Sequence, residues 1–121
     1  MQLEPEGKIT GQITSIDDTS IVMAKKVLKL PIALFANNTI KITINNIQEL
    51  NFQDLTNVIK QNPELVIIGT GKIHQWPSKE LFTATTNSRV NFEFMSNSAA
   101  VSTYNLLLSE NRNVACVLLI A

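Results

Sequence analysis

The feature that most constrains this chain is a change in the spacing of its apolar residues near position 51. Before it the period is close to two. Ile40, Ile42 and Ile44 alternate with Lys41, Thr43 and Asn45, which gives a strand with one buried and one wet face. Upstream, Ile9, Ile13 and Ile16 flank polar positions, and SIVMA (20–24) and KVLKLPIALF (26–35) follow the turn-forming Asp17-Asp18 as further strands.

After residue 51 the period approaches four. Asn51 caps a predicted helix whose Phe52, Leu55, Val58 and Ile59 share a face, with Asp54 at the positive end of its dipole and Asn62-Pro63 as its stop. LVIIG (65–69) does not alternate, the mark of a strand covered on both faces. Pro77 and Ser78 open a second helix that turns Leu81, Phe82 and Ala84 inward and frays at Thr86. VNFEFM (90–95) is a strand. A third helix carries Ala99-Ala100, Thr103-Tyr104 and Leu107-Leu108 at helical spacing, capped by Asn97 or Ser98, and VACVLLI closes the chain as a strand. This order predicts an α/β fold: an N-terminal β-rich region, then a mixed sheet with a parallel portion and helices on its faces.

The 121 residues fit one domain, 1–121, and 45% hydrophobic against 17% charged residues is a globular composition. Ten basic residues balance ten acidic ones, so no net field gathers nucleic-acid phosphates, and no nucleic-acid partner is expected. The single cysteine, Cys116, has no internal disulfide partner and sits in an apolar run, as an inert core thiol in a reducing compartment would. MQLEPEGKIT lacks the features of a targeting segment, and no window reaches the roughly 20 apolar residues that span a bilayer, so a cytoplasmic protein is expected.

In open α/β sheets ligands bind beyond the carboxyl ends of parallel strands. Two loops lie there: GTGKIHQWP after LVIIG, and SNS after VNFEFM. The glycine loop fails as a P-loop, because the earlier glycine would fall at Val66 and the magnesium-binding hydroxyl at Ile73. It fails as a dinucleotide fingerprint because the third glycine would fall at His74. Gly69 and Gly71 then serve a turn with unusual backbone angles. His74, the only histidine, has no second ligand at metal spacing. Trp76 either pins the loop to the sheet or offers a partner contact. Ser96, Asn97 and Ser98 at a helix start suit a small anion, with Ala99 and Ala100 allowing close approach; the structural alternative is that Ser98 is only a cap. Asn105, mid-helix among apolar neighbours, must find hydrogen-bond partners and could brace a neighbouring segment. The candidate crevice set is Gly69, Thr70, Gly71, Lys72, His74, Trp76, Ser96, Asn97, Ser98, Thr103, Tyr104 and Asn105.

LVIIGTG, Pro77 and above all FMSNSAAVSTYNLLLSENRNVACVLLI resemble a small family of unknown function. That family includes bacterial and archaeal stand-alone domains, the mitochondrial assembly factor 3 of respiratory complex I and an adipogenesis-associated animal protein. Met95, Ala99, Ala100, Thr103, Tyr104, Asn105, Glu110 and Arg112 fall in the family's order. Departures are Asn97-Ser98, Val101-Ser102 where a cysteine-arginine pair is common, and Asn111 where glycine is usual. The resemblance implies a three-layer fold around a central mixed sheet, no established catalysis, and for the mitochondrial member a role as a binding partner in assembly. The leading expectation is a non-enzymatic protein-interaction or assembly domain with a protein partner, no cofactor, no metal, and self-association left open. Its rival is a small-molecule or anion-binding domain, conceivably an enzyme, that uses the start of the last helix around Ser98 with Lys72 and His74 as charged helpers.

Overall fold

The structure, a computed structural model, describes residues 11–120. Ile9, one of the residues assigned to the first strand, lies outside the described residues.

Among the described residues, eight strands form two sheets. The first is an antiparallel meander of β1 (Ile13–Ile16), β2 (Ser20–Met23) and β3 (Lys26–Lys29). The second holds β4 (Ile32–Leu34), β5 (Thr39–Lys41), β6 (Leu65–Gly69), β7 (Asn91–Met95) and β8 (Val114–Leu118), in the order β5-β4-β8-β6-β7. β6 runs parallel to both β7 and β8, whereas β4 is antiparallel to β8 and to β5. The sheet is therefore mixed, with its parallel part where the unalternating LVIIG and VACVL segments lie. Every residue of β6 and β8 is buried, because both faces of this sheet are covered.

One face packs against α3 (Asn97–Ser109) and the three-stranded meander, through Ile13, Ile21, Ile67, Tyr104 and Cys116 among others. The other packs against a 3-10 turn (Phe52–Leu55) continuing into α1 (Thr56–Ile59), and against α2 (Lys79–Thr86), through Leu55, Val58, Ile68, Leu81 and Val117. These are the three layers.

Several boundaries differ from the sequence expectation. The run 26–35 is two strands in different sheets, since Pro31 has no N–H to carry a ladder onward. The alternation at 40–44 keeps its burial rhythm, but β5 ends at Lys41 because its partner β4 begins at Ile32 and offers nothing beyond that pair. The helix predicted after Asn51 begins as a 3-10 turn. There Asn51 N–H donates to the Asp54 carboxylate at 2.8 Å while Asp54 N–H donates to the Asn51 carbonyl at 3.0 Å. In α2 the inward pair is Leu81 and Thr85, one turn apart, which leaves Phe82 51% exposed and Ala84 half-buried. The cap of α3 is Ser96, neither Asn97 nor Ser98: its Oγ accepts from Ala99 N–H, and Asn97 is the first helical residue.

Candidate functional site

β6 and β7 are neighbours, so the loops that leave their carboxyl ends open side by side. The two loops are bonded to one another at their base. Thr70 N–H donates to the Met95 carbonyl at 2.8 Å, and Asn97 N–H donates to the Gly71 carbonyl at 2.8 Å. The Asn97 amide closes what remains: its Oδ1 accepts from Gly71 N–H at 3.1 Å and its Nδ2 donates to the Leu119 carbonyl at 2.7 Å. One buried side chain thus satisfies polar groups from two other segments that would otherwise be stranded.

This fixes the role of the glycines. A Cβ at Gly69 would collide with Asn97 Oδ1 and lie 2.8 Å from Leu118 Cδ2, so the Asn97 amide occupies the volume that a side chain would take. Gly71 has φ +121, which L-residues rarely adopt. Thr70 is fully buried, and its hydroxyl accepts from Gln75 N–H at 2.9 Å, folding the following loop back on itself. Gly69, Thr70, Gly71 and Asn97 are therefore the frame of this end of the molecule, and Ser96 is half-buried as a cap.

Lys72, His74, Trp76 and Ser98 are exposed on that frame. The His74 and Trp76 rings meet edge to face at 5.0 Å, and the Trp76 carbonyl accepts from Gln48 Nε2 at 2.8 Å, so the loop is held from below while the indole stays 71% exposed. Two depressions flank it. One, about 350 Å³, is lined by Ile16, Asp17, Asp18, Lys72, Asn97 and Ser98. Hydrogen bonds from the Thr19 and Ser20 backbone and the Ser20 hydroxyl hold the Asp17 carboxyl below its ordinary pKa. Two carboxylates therefore share this depression with a single lysine. The other, about 380 Å³, lies between α2 and β7 and is lined by His74, Trp76, Phe82, Thr85, Thr86 and residues 92–95.

The remaining members of the predicted set lie along α3, away from these loops. Tyr104 is fully buried in the core with no hydrogen-bond partner for its hydroxyl among the described residues; burial raises its pKa, and the adjacent Cys116 thiol adds to the rise. Cys116 is itself buried, and desolvation pushes its thiol up, the opposite of what a nucleophile needs. Asn105 braces a strand: its Oδ1 accepts from Ile13 N–H and its Nδ2 donates to the Ile13 carbonyl, both at 2.8 Å. Thr103 is half-buried on the same helix.

Sequence reasoning missed the groove beside α2. Phe82 was assigned inward, and only the rotation of α2 against the sheet turns it out. Glu93 at the centre of NFEFM was a visible signal, since a charge within a strand marks an exposed face or edge.

The chain is similar to a protein named "13 kDa major membrane protein" from Francisella tularensis subsp. holarctica (strain LVS), 36% identical over 76 residues, which is 63% of this chain and 62% of that one. It is also similar to NADH dehydrogenase [ubiquinone] 1 alpha subcomplex assembly factor 3 of Drosophila melanogaster, 30% identical over 93 residues, 74% of this chain and 47% of that one. The chain thus spans less than two thirds of the length of these curated relatives. Among solved structures, a Xanthomonas campestris protein superposes with a TM-score of 0.79 at 26% identity, covering 89% of this chain and 83% of that one. Among the described residues, no helix is long and apolar enough to cross a membrane. Residues 13–119 match the family model described as "Protein of unknown function (DUF498/DUF598)", and the chain belongs to that family.

Proposed function

We propose that this chain is a non-enzymatic protein-interaction domain that acts in assembly, working in the cytoplasm through the exposed part of its paired loops. The observation that carries this reading is the presentation of Trp76. A large aromatic side chain stands 71% exposed on a loop held by Thr70 and Gln48, so ordering it against a partner costs little additional entropy. Lys72 and His74 flank it and supply a polar rim. The name of the Drosophila relative, an assembly factor, supports the same class of activity.

The anion-binding reading is weaker on physical grounds. The depression beside Ser98 and Lys72 also holds Asp17 and Asp18, whose charges repel an anion, and the Asn97 amide that would bind it is already bonded to Gly71 and Leu119.

The test is affinity purification of the tagged full chain from native lysate, with and without Trp76→Ala/Lys72→Ala. A partner recovered by the parent and lost by the double variant supports the reading. A partner retained by that variant moves the contact elsewhere. If no partner is recovered and a small metabolite raises the melting temperature in proportion to its occupancy, the domain is a ligand binder instead.

A further inference from the structure

β7 is the last strand of its sheet, and among the described residues nothing pairs with its outer side. Thr70 N–H donates to the Met95 carbonyl, and backbone groups alternate sides along a strand, so Asn91, Glu93 and Met95 bond toward β6. The N–H and C=O groups of Phe92 and Phe94 therefore face away from the sheet. None of these four groups is bonded to a described loop or side chain. An edge of this kind is a template for another strand, and proteins usually blunt it.

The side chains around this edge are of two kinds. On the α2 face, Phe92 and Phe94 pack toward the core beside the groove of about 380 Å³ that Trp76 and Phe82 flank. Trp76 and Phe82 are both large apolar side chains left mostly exposed beside this edge. On the α3 face, Glu93 is exposed at the middle of the strand.

Glu93 disfavours a second copy in the register that would use both outward-facing residues, Phe92 and Phe94, of each strand. A symmetric pair of β7 strands is antiparallel, and the register that joins Phe92 to Phe94 twice sets Glu93 directly against Glu93. Like charges opposite one another oppose that pairing. A foreign strand with a basic residue at that position meets no such penalty and gains a cross-strand ion pair.

We infer that β7 is the docking edge for an extended segment of another protein, one that places a lysine or arginine opposite Glu93 and apolar side chains in the Trp76–Phe82 groove. The inference rests on the interaction reading above and specifies the partner's chemistry. Main-chain bonds to Phe92 and Phe94 supply affinity, and the alternating side chains supply selectivity.

The test uses the isotopically labelled full chain and a nine-residue peptide that alternates threonine and valine with lysine at its centre. Two controls are the same peptide with a central glutamate and the lysine peptide N-methylated at alternate amides. Titration should move the amide resonances of Asn91–Met95 most, slow hydrogen exchange at Phe92 and Phe94 at least tenfold at saturation, and change the fluorescence of Trp76, the only tryptophan. The glutamate peptide should bind at least threefold more weakly, the N-methylated peptide should not bind, and Glu93→Lys should reverse the charge preference. No perturbation of β7 up to the solubility limit of the peptide, or equal binding of both charges, overturns the inference. A natural partner that is recovered by the parent chain and retained by both Phe94→Pro and Glu93→Lys leaves the interaction reading standing and removes the edge.

Discussion

Asn105 and Ile13 are 92 positions apart, yet the Asn105 amide makes both hydrogen bonds that a neighbouring strand would make to Ile13, each at 2.8 Å. A side chain of α3 thus takes the place of a fourth strand beside β1. It joins the three-stranded meander to the layer that covers the main sheet.

Replacing Asn105 with alanine strands the Ile13 N–H and C=O in a half-buried setting, at a cost of about 1–3 kcal/mol. The melting temperature should fall by roughly 3–6 °C for each kcal/mol lost. Hydrogen exchange at Ile13 should speed up more than at β6. A variant that melts like the parent shows that the bidentate contact adds nothing to stability.

Gly69 and Asn97 compete for one volume, which sets up a double-mutant cycle. Gly69→Ala displaces the Asn97 amide, and Asn97→Ala alone leaves Gly71 N–H and the Leu119 carbonyl unpaired; each change should cost about 2 kcal/mol or more. The double variant should cost clearly less than their sum, since the collision with Oδ1 is gone. Additive losses in denaturant unfolding would show that Leu118, and not Asn97, is what excludes a side chain at Gly69.

Tyr104 carries a buried hydroxyl without a partner among the described residues, so Tyr104→Phe should leave stability unchanged or raise it by about 1 kcal/mol. The pH dependence follows from the same burial. Tyr104 and Cys116 both have folded-state pKa values raised by desolvation, so each contributes stability below its unfolded pKa that is lost as pH rises through and beyond that value. Stability should therefore decline from about pH 8.5 upward, where an unfolded thiol ionises. Absorbance of the ionised tyrosine should appear together with unfolding and not before it. Tyr104 and Cys116 are the only residues of their kinds, which makes both signals unambiguous.

Asn111, just past the Glu110 cap of α3, lies in the left-handed region at φ +61. Asn111→Ala should cost up to about 1 kcal/mol, because alanine keeps the Cβ but loses the short polar side chain that lets asparagine tolerate this region, whereas Asn111→Gly, which removes the Cβ, should be neutral or slightly stabilising. Equal stability of the two variants, measured by urea midpoint, would remove the conformational explanation.

The helix caps near Asn51 and Pro77-Ser78 and the doubly covered LVIIG strand were legible, because each rests on local propensity or on a period that a single segment carries; the adjacency of the two carboxyl-end loops followed only if β6 and β7 were neighbours, which strand order decided. The inward side of α2 was not legible. Leu81 and Phe82 are equally apolar, and only packing against β6 and β7 turned Leu81 in and left Phe82 beside the groove. The cap of α3 was misplaced for a similar reason. Ser96, Asn97 and Ser98 are all competent caps, and the choice fell to Ser96 because Asn97 is drawn inward by Gly71 and Leu119, which are distant in sequence.

By itself, the sequence determined the α/β class, the order of elements after residue 51 and the residue types that gather at the ends of β6 and β7. Periodicity and capping act over a few residues and can be read there. Tertiary structure alone decided that Asn97 would bond to Gly71 and Leu119, that Asn105 would complete β1, and that the outer backbone of Phe92 and Phe94 would be left open among the described residues. Those outcomes depend on hydrogen-bond partners and strand order set by segments far away in the chain, and no local pattern encodes which strand becomes the edge.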